Sequence, residues 1–479
     1  MRRTAMTPRR RRLARVLTAA CWWALVAWFA RQTLHTRDAQ PEHLIATVVL
    51  AYLAAWCPVL AMARWSPAGK LARIGACTTS LVAAFTLMES PAALGVVDYR
   101  EVFHTPTPPW KRSGNLPDPD LLFVRKPDQR LRLRFQGSDR HDLRGMPPGP
   151  AYDCDTTLDA QGFRNPARLE SAEVALIGDS FVEGLQVADA ELVSARLSAL
   201  IDAPVANLGR TGYGPRQELA VLNRYGPQLG PRTCVWFFYE GNDLQDLDSY
   251  PTDRDRVRAL RPESFRKAWY ARSFARNAAG WLVRRDDRDA AIPAQSRTGR
   301  RHDASSSSAT DLYFSCGVHE GNASAVAGRA KPEKLERLKE VFADAAASCR
   351  RQGMDLVVAF VPAKFRVYRD LCEFDADSPC PGWQVDDLPA KVQEAVRAAS
   401  PEISFLDLTP ALRTRAEAGE LVYLADDTHW SAQGHQAAAE AVAEVLGDRR
   451  RLVRDQLTSA RSPGPDWPTG STGRTRSGP

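Results

Sequence analysis

What this 479-residue chain lacks narrows it first. Its nine cysteines include no Cys-x-x-Cys pair and no Cys/His grouping at zinc-ligand spacing, so no structural zinc module is expected. They are also too dispersed for a small disulfide scaffold. No internal repeat is visible, which argues against a solenoid or propeller. A general excess of one charge is missing too. The formal net charge is +7, and seven arginines with no acid fall within residues 1–15 (Arg2, Arg3, Arg9 to Arg12 and Arg15). The remainder is balanced, which gives no reason to expect a nucleic-acid partner. Nothing in the pattern asks for a cofactor or a metal.

Long uncharged runs are present, and all lie near the N-terminus. They are Val16–Ala30, Leu44–Ala63 and Ile74–Met88, the last interrupted by Glu89 and continued by Pro91–Val97. Leu44–Ala63 has the length that crosses a hydrocarbon core of about 30 Å. No small-residue cleavage site follows the first run, so a retained anchor is expected rather than a cleaved signal. The basic arm and the loop holding Arg64, Lys70 and Arg73 mark the cytoplasmic side. Three spans then place residue 99 onward outside the cytoplasm; two would place it inside. The expected division is a basic arm (1–12), a membrane segment of two to three helices (13–98), an irregular connector (99–170), a main domain (171–447) and a C-terminal extension (448–479). The extension is expected to be disordered from about 456, where Ser, Gly, Pro and Thr dominate.

Within the main domain, apolar runs alternate with amphipathic ones. Strands are predicted at Val174–Ile177, Pro204–Leu208, Thr233–Tyr239, Leu356–Val361 and Ile403–Leu408. Helices are predicted at Ala190–Ile201, Pro215–Leu229, Lys331–Gln352, Leu388–Ala399 and Ala432–Leu446. This alternation implies an α/β domain with a mostly parallel, helix-covered sheet. Residues 250–330 break the rhythm and read as an insertion with one helix-like piece near Phe265–Val283. If the C-terminal part lies outside the cytoplasm, Cys372–Cys380 is the first disulfide candidate and Cys316–Cys349 the second.

The stretch VALIGDSFVEG (174–184) carries the chemistry. A short apolar strand runs into Gly178, and Ser180 stands on the turn that follows. Open α/β sheets place their reactive groups there, at the carboxyl ends of strands. A serine hydroxyl becomes a nucleophile only when a base takes its proton and donors hold the oxyanion. LADDTHWSAQGH (424–435) offers the base, His429, with Asp426 and Asp427 just before it. His435 is expected to pack at the start of the last helix.

In chain order, Gly178-Asp179-Ser180, Gly209 after the second strand, Asn242 after the third and Asp-x-x-His at 426–429 resemble the four blocks of the SGNH (GDSL) hydrolase superfamily. The resemblance covers 171–447. It implies a three-layer, flavodoxin-like parallel sheet (the SGNH hydrolase fold), here preceded by transmembrane helices. It implies Ser180 as nucleophile, His429 as base and Asp426 as the acid orienting it. The oxyanion hole would comprise the Ser180 and Gly209 N–H groups and the Asn242 side-chain amide. Three departures stand out. Phe181 replaces the family leucine, Glu240 replaces a glycine two residues before Asn242, and Asp427 offers an alternative acid at Asp-x-His spacing. That spacing, and VPAKFRVY at 361–368, are similar to alginate and polysaccharide acetylation proteins. Lys364, Arg366 and Tyr368 in that segment read as structural or substrate-side groups.

The expected function is therefore a membrane-anchored serine esterase acting on O-acyl, chiefly acetyl, esters of an envelope or exported glycan. The alternatives are an O-acyltransferase using the same triad to acylate a polysaccharide, and a non-catalytic glycan-binding export protein. The expected partners are an acylated glycan or other ester and, in the membrane, polysaccharide-export or acyl-donor proteins. The expected location is the bacterial inner membrane, multi-pass, with the catalytic domain on the periplasmic side.

Overall fold

In the computed structural model, the described residues are 41–61, 65–103, 105, 107–112, 114–137, 139, 143–144, 151–165, 169–261, 265–283, 292–293, 298–302, 309–314, 331–376 and 378–459, together with 20, 23–24 and 27–28. The chain divides into two compact units, residues 1–113 with 256–292, and residues 114–255 with 293–479. The expected connector is thus divided between them, and part of the expected insertion groups with the N-terminal helices.

The first unit contains helices Pro41–Ala61 and Pro67–Ala93. The second is long and apolar enough to cross a membrane, and no residue of its apolar window is buried; the first holds a shorter apolar stretch, Leu44–Trp56. The earliest expected span and the basic arm lie outside the described residues, apart from isolated positions. Glu89, the acid that breaks the apolar run, has a local reason. It is buried and accepts the Phe274 and Ala275 N–H groups at 3.2 and 2.7 Å, capping the helix Phe274–Val283. The single helix-like piece near 265–283 is two helices, Phe265–Arg272 and Phe274–Val283.

The second unit begins with a short hairpin, Asn115–Asp118 with Leu122–Arg125, followed by an antiparallel pair of β1 (Arg130–Gln136) and β2 (Ala151–Thr157). Four apolar residues then make β3 (Val174–Ile177), all buried because a strand flanks it on each side. The chain continues through α1 (Ser180–Glu183), α2 (Val193–Ile201), β4 (Val205–Asn207), α3 (Pro215–Leu229), β5 (Thr233–Tyr239) and α4 (Asp243–Arg258). After the insertion come α5 (Pro332–Gln352), β6 (Asp355–Val361), α6 (Lys364–Tyr368), α7 (Leu388–Ala399), β7 (Ser404–Asp407), α8 (Thr409–Glu417) and α9 (Ala432–Ser459). The five parallel strands run in the order β7-β6-β5-β3-β4. That is the flavodoxin-like 2-1-3-4-5 order, whose switch point falls between β3 and β5. Helices α2 and α9 pack together, as do α3, α5 and α7, giving helix layers on the sheet. Every residue of β5 is buried, as expected for a central parallel strand covered on two sides.

Several elements escaped the sequence pattern. Helix α4 buries Leu244, Leu247, Tyr250 and Val257 but is otherwise rich in charged residues and contains Pro251, so periodicity gave little signal across it. A further hairpin, Thr298–His302 with Ala309–Tyr313, lies within the insertion. Helix α9 runs on to Ser459, past the expected end at Leu446; residues 460–479 and Cys316 lie outside the described residues. The expected Cys372–Cys380 bridge is not formed. Burial raises the Cys372 thiol to a pKa of about 12.

Candidate active site

The site assembles at the carboxyl ends of β3 and β5, beside the loop that leads into α9. Gly178 permits the turn after β3, since a Cβ there would stand 2.7 Å from Val182 Cγ2. Asp179 accepts the Phe181 N–H at 2.9 Å and so caps the short helix that begins at Ser180. Ser180 Oγ lies 2.7 Å from His429 Nε2. On the other side of the ring, Nδ1 lies 2.6 Å from Asp427 Oδ1, which also accepts the His429 N–H at 2.9 Å. With the Nδ1 hydrogen on the carboxylate, Nε2 is left as acceptor for the serine hydroxyl. Burial pulls the His429 pKa down, but the charge and hydrogen bond of Asp427, aided by Asp179 and Asp139, raise it above the usual value. Phe181 packs its ring 5.1 Å from the imidazole and 5.0 Å from Trp430.

The base loop is closed on itself. Tyr423 and Trp430 form an antiparallel bridge, and Leu424 N–H donates to the His429 carbonyl at 3.0 Å. Asp427 folds back onto the residue two positions on, an Asx-type turn that brings its carboxylate to Nδ1. Of the two expected acids, the alternative, Asp427, is the one the structure brings to the ring. Asp426 is buried but turns away, accepting the Tyr152 hydroxyl, so Asp427 is the residue paired with the histidine.

Gly209 also differs from expectation. Its N–H donates to Asn207 Oδ1 at 3.0 Å. An added Cβ would come within 2.5 Å of Glu183 N and Val182 Cβ. The residue therefore serves close packing beneath α1, and its amide is engaged rather than presented. Asn242 begins α4, where its carbonyl accepts from Gln245 and Asp246 at 2.8 and 2.9 Å. Its Nδ2 donates to Asp246 Oδ2 at 2.9 Å, which leaves one amide hydrogen for another acceptor. Burial, then the charge of Asp179, pushes Asp246 up to about 7, against the pull of the Asn242 bond. Glu240 is buried on Arg366 and accepts the Ala363 N–H at 2.8 Å, which explains an acid where the family has glycine.

His435 packs as expected: its Nδ1 accepts the Val193 N–H at 3.2 Å, and burial lowers its pKa to about 3. Tyr368 Oη accepts the Val422 N–H at 2.9 Å, and Arg366 donates to the Asp386 carbonyl at 2.9 Å. Four contributors gave no sequence signal. Gln186 places its amide 2.9 Å from His429 Nδ1. Its Oε1 is otherwise unpaired, and turning the amide over would give the ring hydrogen a second acceptor. Glu183, fully buried, binds Arg125 and Arg210 at 2.9 and 2.8 Å. Asp139 and Tyr152 come from the region first read as a connector.

A serine at the end of the first strand of a 2-1-3-4-5 sheet, with a paired histidine and carboxylate ahead of the last helix, is the arrangement that the resemblance to SGNH hydrolases implies. Residues 323–462 match the family model described as "SGNH hydrolase-like domain, acetyltransferase AlgX". That stretch contains Asp427 and His429 but not Ser180. A probable alginate O-acetylase AlgJ of Pseudomonas fluorescens is 31% identical over 103 residues, 22% of this chain and 25% of that protein. The Pseudomonas putida counterpart is 33% identical over 106 residues, 22% and 26% of the two chains. The chain thus spans about a quarter of the length of the curated relatives it matches. Among solved structures, an acetyl xylan esterase from Butyrivibrio proteoclasticus matches at 9% identity and a TM-score of 0.28, over 64% of this chain and 76% of that one. Residues 323–462 are thus similar to an SGNH hydrolase-like domain, and part of the chain is similar to probable alginate O-acetylases.

Proposed function

We propose that this chain is a membrane-anchored acyl-transfer enzyme that takes an acetyl group onto Ser180 and passes it to a hydroxyl of an exported polysaccharide. The observation that carries the reading is the unbroken series from Ser180 Oγ to His429 Nε2 (2.7 Å) and from His429 Nδ1 to Asp427 (2.6 Å). His429 takes the serine proton as Oγ attacks the ester carbonyl of an acyl donor. Asp427 holds the ring in the required tautomer and stabilises the imidazolium. The Ser180 N–H and the remaining Asn242 amide hydrogen would receive the oxyanion, and the imidazolium returns its proton to the departing alkoxide. A second round, with His429 deprotonating the acceptor hydroxyl, releases the acyl group.

Water as acceptor would make the same site an esterase. The triad does not distinguish the two. The acetyltransferase description of the matched model and the alginate O-acetylase relatives favour transfer to sugar. The test uses the full chain in detergent with an acetyl-ester donor, with and without an oligosaccharide. The expected result is acetate on the sugar and a Ser180→Ala variant slowed by about four to six orders of magnitude. Acetate release indifferent to the sugar would establish the esterase; full turnover by Ser180→Ala would refute the nucleophile. A fluorophosphonate probe should label Ser180, which a glycan-binding module has no reason to allow.

A further inference from the structure

Beyond β1 the chain dips into the base loop. Gly137 comes so close to the Asp426 carbonyl that a Cβ there would strike it. Asp139, fully buried, donates its N–H to the same carbonyl at 3.2 Å. Its Oδ1 accepts the Thr428 hydroxyl at 2.6 Å, and its Oδ2 accepts from Lys364 Nζ at 2.6 Å. Lys364 is fully buried as well. Its ammonium also reaches the carbonyls of Leu424, Ala425 and Asp427, at 3.1, 3.3 and 3.0 Å.

The polar contacts of this pair thus converge on residues 424–428, the segment that carries the acid and leads directly to the base. Burying two opposite charges costs several kcal/mol per ion before their attraction and hydrogen bonds offset it, and an apolar pair of similar volume is often as stable. A site that needed only filling would be served by Met and Leu. We propose that the Lys364–Asp139 ion pair positions the catalytic loop, fixing the backbone of 424–428 so that the Asp427 carboxylate reaches His429 Nδ1. The two are positioning residues, acting through Asp427 and His429 rather than on the substrate. One of them, Asp139, comes from the sequence between β1 and β2, far from the base loop along the chain. The inference rests on the reading of Ser180 as nucleophile.

The test uses the full chain and removes both charges together, Lys364→Met with Asp139→Leu, so that neither is left buried alone. Thermal unfolding should remain cooperative. Turnover of an acetyl ester should fall about tenfold to a hundredfold, the penalty of a displacement on the order of 1 Å, with KM within about twofold. Fluorophosphonate labelling of Ser180 should slow in parallel. Should the double variant not fold, Thr428→Val serves instead. It deletes one hydroxyl from the same network and should lower kcat severalfold at constant KM. A folded variant of either kind that labels Ser180 at the wild-type rate and keeps wild-type kcat overturns the positioning role. Failure of the wild-type chain to label at Ser180 is a different result: it removes the nucleophile assignment, and this inference with it.

Discussion

Asp426 and Asp427 are adjacent, both acidic and both buried, yet only one faces the imidazole. The difference is the Asx-type turn by which Asp427 accepts its own i+2 amide. Asp427→Asn should therefore lower kcat by about 10⁴-fold, as loss of the tautomer-setting acid does in comparable triads, while Asp426→Asn should stay within about tenfold. Parallel kinetics of the two variants decide the matter; the reverse ranking would restore Asp426. The pH profile belongs to the same residues. Asp427 and its neighbours favour the imidazolium, and the neutral ring is the working base, so kcat/KM should climb with pH through an apparent pKa above 6.5. In Asp427→Asn that limb should move to lower pH. For stability the sign runs the other way. The raised His429 pKa contributes stability that is complete below the unfolded value and is lost as pH rises through the folded one.

At the scale of elements, the nucleophile turn is held by packing and by one buried charge cluster. Glycine at 209 lets the loop after β4 lie against α1, and Gly209→Ala should destabilise the protein by about 1–3 kcal/mol or more through overpacking. Denaturant titration would show it as a lowered midpoint with an unchanged slope. Glu183 ties α1 to Arg125 and Arg210 and accepts the Thr211 N–H at 2.9 Å. Burial opposes its ionisation, but the two arginines and that amide pull it down to about 2. Its contribution to stability is therefore present above about pH 4.5 and lost as pH falls toward 2. Glu183→Gln should flatten the acid limb of the stability curve over that interval, at a cost of about 3–5 kcal/mol near neutrality from the stranded arginines.

At the scale of the whole molecule, the proposed function requires the candidate site to lie outside the cytoplasm. Among the described residues, one helix, Pro67–Ala93, meets the length and apolarity needed to cross a membrane, at about 40 Å for 27 residues. With the basic arm and the basic residues Arg64, Lys70 and Arg73 on the cytoplasmic side, the last two in the first turns of that helix, an odd number of spans sends residue 99 onward outward. An alkaline phosphatase fused after residue 105 should then be active, and a reporter that matures only in the cytoplasm should be dark. The opposite pattern would place the catalytic unit in the cytoplasm and exclude an exported glycan as acceptor.

The amino-acid order alone was enough to specify the strand and helix alternation, the serine turn after Val174–Ile177 and the histidine before the last helix. These are local properties: apolar runs of strand length, a glycine that allows a tight turn, a polar loop ahead of an amphipathic helix. The choice between Asp426 and Asp427, the engagement of Gly209 by Asn207 and the Lys364–Asp139 clamp were decided by the tertiary structure. They depend on which side chains face each other across separations such as the 249 positions between Ser180 and His429. Spacing in the chain says nothing of that. The backbone of the base loop turns one carboxylate inward and its neighbour outward, and buried charges drawn from distant segments hold it so.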